Sequence, residues 1–269
     1  MSTCVPQLAV SLCTKEQLRA VLSCEDVSRI YIEADCFTPK EQKEAADRIR
    51  EHGIRAGLIH TYAGPVLKMS PEEENVQNGY DEHMIRSVDA LQYFRKEHPE
   101  AYLVSDYDLY CMNPESAAFL RSCGVKEFTA PVELNMKELK ELDIRGAQLI
   151  IYGYLPMMVT AQCLRKNTGE CTGKSEIIYI KDRKGMKCPV RNVCSRCYNV
   201  IYNPLPLSLG GVASEVRKLS PHVLRISLTV EDGKTSAGIV SAFSGMLHTG
   251  KEEDPVAEYT RGHFLRGVE

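Results

Sequence analysis

Five of the eleven cysteines crowd into the 35 residues from Cys163 to Cys197: Cys163, Cys171, Cys188, Cys194 and Cys197, spaced C-x7-C, C-x16-C, C-x5-C and C-x2-C. A two-residue gap lets the thiolates of Cys194 and Cys197 converge on one metal centre within a single tight turn. With Cys163 and Cys171 they make four thiolates, the number that a structural zinc or a [4Fe–4S] cluster requires, and spacing alone leaves both metals open. Cys188 stands before Pro189 in an extended run and reads as the spare thiol. A redox reading of C-x2-C is weaker, because such a pair opens a helix after a strand, whereas NVCSRCYNVIYN reads as a metal knuckle feeding a strand. Cys4, Cys13, Cys24, Cys36, Cys111 and Cys123 occur singly in or beside expected elements, where a free cysteine behaves as a small buried hydrophobe.

Other chemistry has to come from residues that the chain's repeated elements bring together. Short β-branched runs alternate with amphipathic stretches, the pattern of βα units around a parallel sheet. LAVSLC (8–13), RIYIEA (29–34), RAGLIHTY (55–62), AYLVSDYDLY (101–110), EFTAPVEL (127–134), AQLIIYGYLP (147–156), LPLSL (205–209) and VLRISLTV (223–230) make eight strands. Thr14 with Gln17 forms a capping box, Thr38 caps a helix that Pro39 opens and Gly53 stops, and DEHMIRSVDALQYFRKEH reads as helix throughout. Residues 157–203 break the rhythm with five cysteines, many charges and no sustained apolar period. The expected fold is therefore α/β: a single (β/α)8 TIM-like barrel domain over residues 1–269, with a cysteine-rich metal-binding insert, 157–203, after strand six. Eight such units need about 250 residues. An open doubly wound sheet is the alternative, weakened because no Gly-rich phosphate loop follows an early strand.

In a barrel, chemistry sits at the C-terminal ends of the strands. That rule nominates Glu33, Asp35, His60, Tyr62, Asp106, Tyr107, Asp108, Glu133, Tyr152 and Tyr154, with His60 and Glu133 foremost. Strand-end position is weak evidence, and the plainer reading of each is a solvated loop residue or a helix cap. No HExxH and no GxSxG occurs, and no two of the seven histidines are spaced to bind a metal on one helix face.

A hydrophobic fraction of 43% and a charged fraction of 26% are those of a soluble globular protein. The net charge of −3 argues against indiscriminate coating of nucleic acid and leaves a local basic patch such as KDRKGMK, 181–187. No stretch approaches the roughly 20 apolar residues of a membrane span, and MSTCVPQLAVSLC has no secretory pattern. The expected location is cytoplasmic, with no membrane partner, where cysteines serve as buried thiols and ligands rather than disulfides.

The run YGYLPMMVTAQCLRKNTGEC, followed by KDRKGMKCPVRNVCSRCYNVIYNPLPLSL, resembles the cysteine segment of the U32 family, long catalogued as collagenase-like peptidases. YTRGHFLRGVE at the end is similar to that family's closing motif, so the specific likeness covers 147–209 and 259–268. Where the family carries a glycine at a strand end and two cysteines seven residues apart, Gly153 and Cys163 are in place, but Pro156 stands at the first cysteine. The fourth ligand must then come from Cys171 or Cys188. The segment and the opening PQLAVSLCTKEQL resemble the C-terminal barrel half of the long U32 proteins, which implies a free-standing form or an excised domain, with a second U32 barrel half as partner.

The resemblance favours a [4Fe–4S] cluster on Cys163, Cys171, Cys194 and Cys197, with zinc as the alternative. It implies oxygen-independent hydroxylation of a ring, here an RNA base, with a small dicarboxylate donor such as prephenate. Arg225 is the first cation expected to hold that donor, with Arg261 and His263 next, because a guanidinium matches a carboxylate with two parallel hydrogen bonds. An ion pair of Arg225 with Glu33 or Glu133 is the equal alternative. The remaining expected site residues are His60, Glu133 and Tyr152, and RNA contact would fall on KDRKGMK. Two other readings stand: the catalogued peptidase, pairing a lone thiol with His60, and a non-catalytic module in which the metal staples the excursion to the barrel.

Overall fold

The computed structural model describes residues 6–62 and 79–267; Cys4 lies outside them. Eight strands run parallel in one curled sheet: β1 (Gln7–Leu12), β2 (Val27–Glu33), β3 (Arg55–Ile59), β4 (Glu82–Ile85), β5 (Leu103–Ser105), β6 (Val125–Phe128), β7 (Gln148–Gly153) and, after a long excursion, β13 (Val223–Ser227). Their order is β7-β13-β1-β2-β3-β4-β5-β6. Past β6 the chain meets the other edge: Thr129 bridges Gln148 in parallel, and the Ala130 N–H donates to the Gln148 carbonyl at 2.8 Å.

Side-chain alternation sorts each strand between two environments. Leu8, Val10 and Leu12 of β1 join the core shared with the helices, while Ala9 joins Tyr31, Ile59, Met84, Val104 and Val223 inside the curl. Gly57 is the register partner of Tyr31, and a Cβ there would stand 2.1 Å from the Tyr31 ring, so the ring fits only because that side chain is missing. The helices begin where local chemistry supplies a cap. Thr14 with Gln17 opens α1 (Lys15–Val21), and Thr38 with Glu41 opens α2 (Pro39–Glu51); both are complete capping boxes that satisfy N–H groups otherwise left without partners.

The eight parallel strands are not the eight that the sequence suggests. EHMI, read as the start of a helix, is β4, and the helix is confined to α3 (Val88–Glu97), capped by Ser87. Met84 and Ile85 are both fully buried, on opposite faces, so this four-residue strand shows no polar alternation. LPLSL supplies only the two-residue β12 (Leu207–Ser208), antiparallel to β7. The excursion therefore leaves after the seventh parallel strand, not the sixth.

The excursion is itself a sheet of antiparallel strands: β8 (Pro156–Thr160), β9 (Ile177–Lys181), β10 (Lys187–Val193) and β11 (Tyr198–Tyr202), in the order β8-β11-β10-β9. One face packs Val193, Tyr198, Val200 and Tyr202 against Tyr62, Tyr154 and Val230, which seats it over the C-terminal ends of β3, β7 and β13. Among the described residues no helix is long and apolar enough to cross a membrane.

Candidate functional site

Cys194 and Cys197 flank the turn that joins β10 to β11, closed by the Val193–Tyr198 pair. The knuckle is thus the tip of a hairpin rather than a lead into one strand. Cys197 takes a left-handed backbone there, at φ 55°. The segment carrying Cys163 and Cys171 is tied along the same hairpin. Asn199 Nδ2 donates to the Gln162 carbonyl at 2.8 Å, the Asn192 N–H to the Glu176 carbonyl at 3.0 Å, and the Cys194 N–H to Ser175 Oγ at 3.1 Å. Burial pushes the Cys194 thiol up, and Cys171, Cys163 and Cys197 add to the push as charged neighbours. Cys188 lies within β10 opposite Ile180, and its charged neighbour is Asp182.

Among the described residues no three His, Cys, Asp or Glu side chains are already drawn together to hold a metal ion. By type, number and neighbourhood the thiols fit a four-thiolate centre, zinc or [4Fe–4S], that would close them around itself. The hairpin beneath also carries buried polar atoms without hydrogen-bond partners, Asn192 Nδ2 and Oδ1 and Asn199 Oδ1.

A second constellation occupies the C-terminal ends of the parallel strands. Arg86, just past β4, donates to both Glu33 oxygens at 2.8 and 2.7 Å and through Nε to Asp106 Oδ2 at 3.0 Å, with its guanidinium 3.9 Å from the Tyr62 ring centroid. Arg225, 2% exposed, reaches from β13 to Asp106 Oδ1 at 2.5 Å and to Thr129 Oγ1 at 3.2 Å. Against the opposing effect of burial, Arg225 and Arg86 hold Asp106 below the usual carboxylate range. Asp108 behaves oppositely: burial, then the charge of Asp106, pushes it up to about 7, and its Oδ2 is buried without a hydrogen-bond partner. Three carboxyls face two guanidiniums here, and Asp108, 3.6 Å from Arg86 Nε, is the one that gives up its proton last. Glu33, Tyr62, Arg86, Asp106 and Arg225 line a cavity of about 30 Å³, roughly the share of one water molecule in the liquid.

Of the ten strand-end residues nominated from sequence, Glu33, Tyr62, Asp106 and Asp108 gather around Arg86, whereas the expected set of His60, Glu133, Tyr152 and Arg225 does not meet. His60 is buried with Nε2 3.2 Å from His83 Nδ1 and its ring edge-on to Phe94; burial, then His83 and Arg86, drive it well below the usual imidazole range, so it is neutral. Tyr152 packs against Phe243 and donates to Glu231 Oε1 at 3.0 Å. Glu133 lies beyond β6, with Oε2 buried and without a hydrogen-bond partner. Arg225 alone joins the charged constellation, and its ion-pair partner is Asp106 rather than Glu33 or Glu133. Arg261 is held by Asp254 at 2.6 and 2.7 Å, and His263 Nδ1 lies 2.8 Å from the Gly267 carbonyl. Lys181 to Lys187, the KDRKGMK run, is exposed between β9 and β10. Arg86 is the residue that sequence reasoning missed. Ser87, a helix cap directly after HMIR, was the signal that a strand ends there.

No family model matches the chain, and no curated protein matches it. Among solved structures, the YdjI aldolase from Escherichia coli K12 is similar at 8% identity and a TM-score of 0.47, over 93% of this chain and 82% of that one. The Bacillus cereus spore cortex-lytic enzyme SleL is similar at 10% identity and a TM-score of 0.43, over 88% and 74%. Both likenesses are too distant for either protein's activity to bear on this chain.

Proposed function

We propose that the chain is a U32-type iron–sulfur protein: a (β/α)8 barrel closed at Thr129 and Gln148, with a [4Fe–4S] cluster on Cys163, Cys171, Cys194 and Cys197 beside its mouth. In this reading it supports oxygen-independent hydroxylation of an RNA base with a prephenate-like donor. The supporting observation is the company that Cys194 keeps, since its thiol neighbours are the three other cysteines of the set and Cys188 is not among them. A bound cluster would supply electron transfer, which side chains cannot carry.

The chain's own residues do the rest. Arg86 fixes Glu33 and Asp106, Asp108 exchanges a proton near neutral pH, and Tyr62, Tyr154 and Tyr202 cover the strand ends. Arg225 positions Asp106 and is not open to a donor carboxylate. The basic residue on the wall of the larger, ≈480 Å³ cavity is Arg196, which pairs with Asp35 at 2.9 Å, so a dicarboxylate would displace Asp35. RNA contact falls to the exposed KDRKGMK run.

Iron and sulfide analysis of anaerobically purified protein tests the centre. Alanine at Cys163, Cys171, Cys194 or Cys197 should each abolish iron retention, while Cys188→Ala and Cys123→Ala retain it. Full iron content in any two of the four would sink the assignment, and stoichiometric zinc in a colourless protein would favour the staple reading. Mass spectrometry of RNA from deletion and complemented cells tests the reaction, with complementation failing for Cys194→Ala. One observation favours the peptidase reading: Cys36 and His60 both open on the ≈480 Å³ cavity. Since His60 Nε2 faces His83, gelatin cleavage should stay at background. Cleavage lost in both Cys36→Ala and His60→Ala would replace the hydroxylase.

A further inference from the structure

Cys13 directly follows β1 and Cys36 lies three residues past β2, its parallel neighbour, with Leu12 and Ile32 in register. Parallel pairing of β1 with β2 brings the two thiols near each other, although they stand 23 positions apart in the sequence. Their access differs. Cys13 is 5% exposed, whereas Cys36 lines the ≈480 Å³ cavity. Arg191 of β10 lies within charge range of both, donates to the Thr229 carbonyl, and keeps a buried Nε with no hydrogen-bond partner.

We propose that Cys13 and Cys36 form a dithiol site that exchanges with a low-molecular-weight disulfide, Cys36 attacking from the cavity wall and Cys13 resolving from behind it. Neither residue belongs to the four-thiol set, although Cys36 shares its cavity wall with Cys194, so iron content is read beside thiol reactivity in the test.

The chemistry follows from the surroundings. The hydrogen bond from Cys13 lowers the Cys36 pKa, burial opposes it, and Arg191 lowers it further, while Glu33 and Asp35 raise it. The same hydrogen bond and burial hold the proton on Cys13. A thiolate at Cys36 is the form that attacks disulfides. Having released its proton to solvent, Cys36 Sγ bonds one sulfur of R–S–S–R and expels RS⁻. Cys13 then loses its proton, and its Sγ bonds Cys36 Sγ, expelling the second RS⁻. The two leaving groups take up the two protons, so the chain is oxidised by two electrons and the small disulfide is reduced to two thiols. The new bond would tie the end of β1 to the segment entering α2, whose first residues wall the same cavity.

The test uses the full, reduced chain with graded oxidised glutathione, rapid alkylation and peptide mapping without reductant. A Cys13–Cys36 linked peptide should be the first link to form. Cys13→Ser should trap glutathione on Cys36, and Cys36→Ser should leave Cys13 unmodified. In unmodified protein at neutral pH, iodoacetamide should label Cys36 at least about tenfold faster than Cys24 or Cys111, whose thiols burial pushes up. Arg191→Met should narrow that gap. Labelling of Cys36 no faster than Cys24, or links forming only among the insert thiols, would overturn the proposal without touching the metal assignment, since iron content is read separately.

Discussion

The two ends of the curled sheet each hold a cluster of buried charges, and the two clusters are built to different standards. At the N-terminal end, Arg29 grips both Glu127 oxygens at 2.9 and 3.0 Å and approaches Glu82, which also accepts from Tyr31 and, at 2.7 Å, from Arg55. Gln148 and Tyr102 add donors to Glu127 at 3.1 and 3.0 Å. Two arginines face two carboxylates, and every carboxylate oxygen is engaged. At the C-terminal end three carboxyls face two arginines, and Asp108 Oδ2, 3.6 Å from Arg86 Nε, and Arg225 Nε lack hydrogen-bond partners, against Gln148 Oε1 at the N-terminal end. An unsatisfied buried polar group costs about 1–3 kcal/mol, so it persists where something other than stability is served.

The largest effect that could break this contrast is at Arg29. Replacing it with Met keeps most of the volume but leaves Glu82 and Glu127 buried with less countercharge, and breaking such a pair costs ~3–5 kcal/mol. Urea unfolding should show that loss with the slope unchanged. A loss under about 1 kcal/mol would mean that the N-terminal cluster is not the stabilising one.

Asp108 gives the intermediate effect, and its sign is opposite to that of a paired carboxylate. Its folded value is about 7, against an unfolded value near 3.9. The folded state therefore binds the extra proton, and stability falls as pH rises from about 4 to about 7 and stays low above that window. Asp108→Asn removes the penalty, so it should be near neutral at pH 4 and more stable than the parent by ~1–3 kcal/mol at pH 8. Unfolding curves across that range check it. A constant difference between variant and parent would show that Asp108 is not the residue holding the proton.

What was legible in the sequence was local. The caps at Thr14 and Thr38 are complete within four residues. What was not legible depends on contacts between distant strands. That Arg225 points inward follows from alternation, but that it meets Asp106 depends on how far the sheet curls, which no local pattern encodes. Cys13 and Cys36 read as isolated because strand pairing, not spacing, joins them. β4 escaped because a strand buried on both faces shows no period over four residues, and with it went Arg86, which organises the C-terminal cluster.

The smallest effect sharpens the boundary of the N-terminal cluster. Arg55 pairs with Glu82 at 2.7 Å, a shorter contact than Arg29 makes with the same carboxylate, yet its side chain is 47% exposed. Distance alone would rank Arg55 as the main partner. Solvent argues the reverse, because water and salt screen an exposed guanidinium, while the Arg29 side chain is 3% exposed. Glu82 also keeps Arg29 and Tyr31 when Arg55 is lost. Arg55→Gln should therefore cost only ~0.5 kcal/mol at low salt, and the difference from the parent should shrink towards zero in about 1 M salt, where screening acts within roughly 3 Å. A loss above about 2 kcal/mol that survives salt would place Arg55 among the buried partners, and the cluster would then be centred on Glu82 rather than on Arg29.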